Sequence, residues 1–217
     1  MIPIRLNWER PVDGVEIVPL HLVQETSTTE TKFVCARSDE SEPVIYEITN
    51  LENPLAIRLI NTVSDEDLVA FVSRFGLPQK LVTPFQVSVT SLETLKEDLG
   101  EVLGLGAFPD SVEKARHVND VLKYVSLAPS FEYADGRNKL VMRPTDLANL
   151  MMMEAVFAYE VGATLSRCAH CSKAYLTGPL TGRRSHAVYC SDRCRVAAMR
   201  KRNASAGKHQ ELTVLAK

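Results

Sequence analysis

The sequence predicts an α+β protein in three parts: a β-rich N-terminal segment, a helical core, and a small C-terminal module that holds four of the five cysteines. Three observations lead to this prediction. The first fifty residues contain runs rich in β-branched residues, separated by polar turns. Residues 54–167 mostly show the apolar spacing of helices. The last fifty residues place two close pairs of cysteines beside a run of basic residues.

Three strands are predicted in the N-terminal segment, with the sequences VEIVPLHLV, TKFVCAR and PVIYEITN. A polar turn over 25–30 separates the first two. Pro19 has no backbone N–H, so its place inside the first run indicates an edge strand or a bulge. Further along the chain, Val87–Val89 is predicted as a short strand. Asp135-Gly136 is a hairpin signal, and the second strand of that hairpin is predicted over Lys139–Arg143.

Helices are predicted from Pro54 onward, because proline suits the first position of a helix. Ser64 followed by Asp67 has the spacing of a capping box, and Gly76 with Pro78 ends the apolar pattern that begins there. Thr90 is expected to cap the next helix. The remaining helices are predicted over 90–103, 110–126 and 145–167.

The helix predicted over 145–167 is apolar on several sides, so we expect it to be packed on several sides. Its stretch 147–165 has the length of a membrane span, but Glu154 and Glu160 interrupt it, and a buried helix is predicted instead. Met151–Met153 are expected to fill gaps in the core. The N-terminus has no secretory signal, and a cytoplasmic protein without membrane association is expected.

The formal net charge of −2 hides a strong asymmetry along the chain. From Arg167 onward there are eleven basic and two acidic residues, a net charge of +9, whereas the first 166 residues carry 14 basic and 25 acidic residues, a net charge of −11. A basic segment of this kind indicates contact with a polyanion, or docking on an acidic face of the same protein.

The cysteines form two close pairs, Cys168-Ala-His-Cys171 and Cys190-Ser-Asp-Arg-Cys194, with eighteen residues between them. In a reducing compartment this pattern predicts metal binding instead of disulfides. Four thiolates satisfy a tetrahedral zinc ion, so one structural Zn²⁺ per chain is predicted, with no open position for a catalytic water. The predicted zinc ligands are Cys168, Cys171, Cys190 and Cys194.

The surroundings of the cysteines predict a treble-clef-like finger. Gly178–Gly182 has the composition of a hairpin turn that returns the chain to the first pair, and Ser191 is placed to cap a helix that begins at Asp192. His170 and His186 are competing ligands, but four cysteines make them unnecessary. A zinc-supported nuclease that uses His186 remains an alternative, although no second histidine follows Cys194 before His209.

The helix after Cys190 is expected to present its basic residues to a nucleic acid. Arg193 and Arg200 are seven positions apart, and so are Arg195 and Arg202. The two members of each pair therefore fall on nearly the same side of a helix. Guanidinium groups neutralise phosphates and reach base edges. A solvated basic face, or docking on the acidic part of the chain, is the alternative. The predicted nucleic-acid contacts are Arg183, Arg184, Arg193, Arg195, Arg200, Lys201 and Arg202.

The segment Leu55-Ala-Ile-Arg-Leu-Ile-Asn-Thr62, the order of elements over most of the chain, and CAHC with YCSDRC together resemble the bacterial ABATE-domain proteins with a CGNR-type zinc finger. The resemblance implies a stress-responsive transcription regulator whose C-terminal finger binds DNA. The Gly-Asn-Arg that names the finger is absent, since Arg195-Val-Ala follows Cys194 here.

Taken together, the sequence divides into an α+β domain of ABATE-like type over 1–166, a zinc finger with a basic helix over 167–205, and a flexible tail over 206–217. The leading hypothesis is a DNA-binding transcription regulator with an N-terminal sensory or ligand-binding domain. The alternative is an interaction module whose basic finger binds an acidic protein partner. No catalytic grouping or phosphate-binding glycine loop is recognisable in the first 166 residues, so an enzyme is not expected.

Overall fold

The computed structural model describes residues 2–24, 27–79, 86–104, 112–134 and 136–214 of the chain. Strands dominate the N-terminal part and helices follow, which confirms the predicted α+β class. In chain order the elements are β1 (Arg5–Pro11), β2 (Val15–Gln24), β3 (Ser27–Ala36), β4 (Ser41–Glu47), α1 (Leu55–Ile60), α2 (Asp65–Phe75), β5 (Gln86–Ser88), α3 (Val89–Gly104), α4 (Val112–Leu122), β6 (Leu127–Ala134), β7 (Arg137–Pro144), α5 (Leu147–Glu160), β8 (Thr164–Arg167), β9 (Ala174–Thr177) and α6 (Asp192–Val214).

The three predicted N-terminal strands are present as β2, β3 and β4, and one further strand, β1, pairs with β4. β2, β3 and β5 form an antiparallel sheet in that order, so the strand with Pro19 lies at an edge, as predicted. The turn predicted over 25–30 was too long, because residues 27–30 belong to β3; Glu25 and Thr26 lie outside the described residues.

The helix boundaries follow local capping. Ser64 accepts a hydrogen bond from the Asp67 N–H at 3.2 Å, and the Asp67 carboxylate accepts one from the Val63 N–H at 3.0 Å, which confirms the predicted cap. Pro54 precedes α1 and is not its first residue. At α3 the prediction was wrong, because Ser88 and not Thr90 accepts the capping bond, from the Ser91 N–H at 3.0 Å.

The hairpin β6–β7 closes with Ala134 opposite Arg137, in agreement with the prediction, although Asp135 itself lies outside the described residues. The second strand of this hairpin, β7, extends beyond the predicted range, to Pro144. β7 also contacts the residues just before β1, where the Met142 N–H donates to the Pro3 carbonyl at 2.9 Å. α4, predicted over 110–126, ends at Leu122, and Asp110 is outside the described residues.

The prediction of one helix over 145–167 was wrong, because α5 ends at Glu160. Gly162 has φ of 73°, in the left-handed region that favours glycine, and the chain turns there into β8. The apolar pattern continues through the turn because Ala163 and Leu165 still pack against the same core as α5. Sequence periodicity alone therefore could not reveal the break.

α5 lies at the centre of the core, as its all-round apolar character predicts. Met151 and Met152 are buried there among the leucines of α1 and α3, which agrees with a gap-filling role. None of the helices in the described part of the chain is long and apolar enough to cross a membrane. Glu154 is the one buried acid among the described residues, and its Oε2 accepts the Ala56 N–H at 2.9 Å and so caps α1 from another helix.

Burial raises the pKa of Glu154 to about 7. The unfolded carboxyl loses its proton near its ordinary value of 4.5, while the folded one keeps it, so the folded state loses stability as pH rises between these values. Glu154→Gln keeps a neutral acceptor for the Ala56 N–H and does not ionise. We expect its free energy of unfolding, relative to the unaltered protein, to rise by up to about 3 kcal/mol between pH 4.5 and 7.

Urea unfolding of both proteins at several pH values measures this difference. The difference should level off above pH 7.5, where both the folded and the unfolded carboxyl are ionised. A difference that stays constant across the whole range would contradict a neutral buried carboxyl.

Candidate metal centre

The first cysteine pair lies in the turn between β8 and β9. The Cys168 N–H donates to the Lys173 carbonyl at 3.0 Å, and the Ser172 N–H donates to the Cys168 carbonyl at 2.9 Å. Ser172 adopts a φ of 61°, which lets the chain reverse tightly after Cys171. This compact turn, or knuckle, brings the sulfur atoms of Cys168 and Cys171 to the same side.

The second pair arrives by the turn that the sequence predicts. Gly178 pairs with Arg183 in a single antiparallel bridge, and the Thr181 hydroxyl donates to the Gly178 carbonyl at 2.8 Å. The chain then reaches Cys190, and Ser191 accepts the Cys194 N–H at 3.3 Å at the start of α6. Knuckle, hairpin turn and helix follow in the predicted treble-clef order. α6 continues to Val214, into the stretch that the sequence predicts as a tail.

The four sulfur atoms meet in one group, all within 4.8 Å of one another. Cys171 Sγ lies 3.7 Å from Cys190 Sγ, which in turn lies 3.5 Å from Cys194 Sγ. A tetrahedral ion with bonds of about 2.3 Å to sulfur requires sulfur atoms about 3.8 Å apart, whereas a disulfide requires about 2.05 Å. The spacing therefore fits four thiolates around one metal ion and no disulfide.

The pKa values of the thiols are shifted in different directions. Burial opposes the ionisation of Cys168, but the backbone N–H groups of Cys190, Cys171 and His170 outweigh it and lower its pKa to about 6. Burial, together with hydrogen bonding among the neighbouring thiols, raises the pKa of Cys190 to about 12. Four thiolates this close repel one another, and a bound cation removes that repulsion.

The metal-binding group that the described residues form contains cysteines alone. His170 and His186 are exposed and are not among its members, so neither replaces a cysteine ligand. Cys35, the fifth cysteine, lies on β3 and is likewise outside the group. The structure thus brings together the four ligands that the sequence predicts.

Asn61 fastens the finger to the core through hydrogen bonds that the sequence did not reveal. Its side-chain amide donates to the Ala174 carbonyl at 2.8 Å and accepts from the Ala174 N–H at 2.7 Å. Asn61 therefore takes the place of a neighbouring strand along β9. The Leu51 N–H adds a bond to the Leu180 carbonyl at 2.8 Å. The predicted boundary at 166/167 falls inside β8, whose hairpin packs on the core.

Arg183, a predicted nucleic-acid contact, points into the protein. Its guanidinium donates to the carbonyl oxygens of Cys190 and Glu52, both at 2.9 Å, and lies 5.8 Å from the centre of the Tyr175 ring. These bonds join the second cysteine pair to the core and leave Arg183 occupied. It therefore differs from the other basic residues of the finger, and we exclude it from the residues proposed to bind a nucleic acid.

The other predicted nucleic-acid contacts all have exposed side chains: Arg184, Arg193, Arg195, Arg200, Lys201 and Arg202. Arg195 pairs with Asp192 of the same helix at 3.1 Å. Among the described residues, Arg184, Arg193, Arg200 and Arg202 form no ion pair with an acidic side chain. A cleft of about 730 Å³ beside the cysteines is lined by Arg184, His186 and Arg195.

Comparison of the chain with protein-family models, with curated proteins and with solved structures finds no match. The arguments on function therefore rest on the residues and geometry described above.

We expect one metal ion per chain, and we expect Cys190→Ser to lose it because a hydroxyl is a poor replacement for a thiolate ligand. Cys35→Ser is the matched control, since it removes a thiol outside the group and should keep full metal content. Elemental analysis of both proteins after dialysis measures the metal-to-protein ratio. Full metal content in Cys190→Ser would refute the assignment.

We also expect Asn61→Ala to lower the free energy of unfolding by about 1–3 kcal/mol, because the N–H and carbonyl of Ala174 would have no partner. Asn138→Ala, on an exposed position of β7, serves as the control and should change stability by less than about 0.5 kcal/mol. Denaturant unfolding compares the two. Equal stabilities would show that Asn61 does not hold the finger.

Proposed function

We propose that the chain is a DNA-binding transcription regulator in which one structural zinc ion fixes a basic recognition helix. An all-cysteine group of four is the ligand set of structural zinc sites, and it leaves no position for a catalytic water. The closed group thus argues against a zinc-supported nuclease. The resemblance to the ABATE-domain proteins supports the same reading, and membership in that family is part of the proposal.

The observation that carries the proposal is the set of exposed cations at the start of α6. Arg193, Arg200 and Arg202 are exposed and form no ion pair within the described residues, although the first 166 residues carry a net charge of −11. If this surface served only to dock on the protein's own acidic residues, those pairs would be present. A basic surface left unpaired is suited to an external polyanion.

The dimensions of α6 suit duplex DNA. A helix with its side chains is about 10–12 Å across, and the major groove of B-DNA is about 12 Å wide. Arg193 and Arg200 lie on one side of the helix and Arg195 and Arg202 on nearly the opposite side, so a helix in the groove would present cations to both phosphate strands.

The N-terminal domain is proposed to bind a small ligand. A cavity of about 250 Å³ lies between β1, β4 and the end of α2, with Trp8, Pro11 and Leu77 as apolar walls and Ser38 and Ser41 among its polar groups. Apolar walls with a few polar groups are typical of small-molecule sites. A cytoplasmic location is consistent with free thiols and is likewise part of the proposal.

The second candidate function is an interaction module that binds an acidic protein. The same unpaired arginines favour it, because an acidic peptide and a phosphate backbone both attract cations. The salt dependence of binding to duplex DNA separates the two candidates, since DNA releases condensed counterions for each phosphate that is neutralised.

We expect the unaltered protein to bind random duplex DNA at low salt, with an affinity that falls as salt increases. Replacing Arg200, Lys201 and Arg202 with alanine should flatten the slope of log affinity against log salt by roughly 0.9 for each phosphate that the variant no longer neutralises. Fluorescence anisotropy with a labelled duplex across a salt series measures both slopes.

The control replaces three exposed arginines far from the finger, Arg37, Arg116 and Arg137, with alanine. It changes the net charge by the same amount and should leave the slope nearly unchanged. No binding by the unaltered protein at low salt would reject the DNA proposal and favour the acidic-partner module. Equal flattening in both variants would show that net charge, and not the basic helix, governs the binding.

A further inference from the structure

The hairpin β6–β7 has one unpaired edge. Its two-residue loop makes Ala134 and Arg137 a hydrogen-bonded pair, and the alternation of an antiparallel ladder then directs the backbone groups of Glu132 and Ser130 toward β7. The N–H and C=O groups of Phe131 and Tyr133 point away from β7. No other strand among the described residues pairs with this edge of β6.

The same two residues expose large aromatic side chains, 74% for Phe131 and 76% for Tyr133. They share one face of the hairpin, whereas Glu132 lies on the opposite face, where Arg5 and Arg143 contact its carboxylate. An open strand edge combined with exposed aromatic residues is the usual signature of strand addition.

We propose that this edge binds a second copy of the same chain, with the two β6 strands antiparallel about Glu132. In this register Phe131 of each copy lies opposite Tyr133 of the other, so the two pairs exchange four N–H···O bonds. The aromatic side chains then meet in two cross-strand pairs. Pro129, which has no N–H to donate, falls outside the paired residues. The edge is thus its own complement, which favours a second copy over an unrelated peptide.

The charges on the opposite face permit this register. It brings the two Glu132 side chains opposite each other, and like charges there would ordinarily repel. Each Glu132 carboxylate already contacts two arginines, Arg5 and Arg143, and Arg5 also pairs with Glu47, so the cluster in the dimer would hold four carboxylates and four guanidinium groups. The four aromatic side chains bury about 150–250 Å² each when fully covered, at most about 600–1,000 Å² together, which is the size of a weak and transient interface.

The inference does not depend on the proposed function, and its test is the oligomeric state of the full chain with metal and reducing agent present. Sedimentation velocity over a concentration series should show monomer at about 1 μM and mostly dimer at about 100 μM, as expected for a small interface. Phe131→Lys and Tyr133→Lys should each weaken the dimer by at least about tenfold, because a charge replaces an aromatic pair. Both positions are exposed, so the monomer should keep its melting temperature.

Ile45→Lys is the matched control, because Ile45 is 66% exposed on β4, away from the hairpin edge. It should dimerise like the unaltered protein. A monomer at all concentrations, or unchanged dimerisation of Phe131→Lys, would overturn the proposal. So would equal weakening by Ile45→Lys, because the association would then depend on another surface or on general apolar character.

Discussion

The convergence of four sulfur atoms is the constraint on which the C-terminal part of this protein depends. Three segments place the cysteines in this group: the knuckle after β8, the chain that follows the Gly178–Arg183 bridge, and the first turn of α6. Because the pKa of Cys190 is raised to about 12, all four cysteines can be thiolates together only when a cation is present, so we expect the binding of an ion and the shape of the finger to be coupled. The arginines after Cys194 lie on a helix that starts at these cysteines, so their orientation depends on the same group.

Much of the fold was predictable because its signals are local. Alternation indicates β2, β3 and β4, Ser64 with Asp67 marks the start of α2, and the two-residue turn predicts the β6–β7 hairpin. β1 was not predicted even though Ile4, Leu6 and Trp8 alternate with polar residues, so the signal was present. The end of α5 was missed for a different reason, because the sequence signal itself continues past it. Val161, Ala163 and Leu165 continue the apolar pattern because they pack on the same core, and only Gly162 marks the turn.

The candidate metal centre was predictable from the spacing of the cysteines, because two cysteines that bind one ion from the same short turn lie only a few residues apart in sequence. The joint between finger and core was not predictable. Asn61 lies in an apolar stretch and its partner atoms belong to the main chain of Ala174, 113 residues away. Arg183 could not be distinguished from its basic neighbours by sequence, because its role depends on the carbonyl oxygens of Glu52 and Cys190 that only folding brings together.

The three joining interactions share a property: Asn61 binds the backbone of Ala174, Leu51 binds the carbonyl of Leu180, and Arg183 binds two carbonyl oxygens. In the finger, the atoms contacted by Asn61 and Leu51 belong to the main chain, so these contacts depend on the path of the backbone and not on the side chains of Ala174 and Leu180. The contact with Leu180 therefore does not require a leucine side chain, since Leu180 is 47% exposed, whereas the contacts of Asn61 and Arg183 require those two side chains. A finger with altered surface residues could be carried on the same core, provided that its backbone and its four cysteines are preserved.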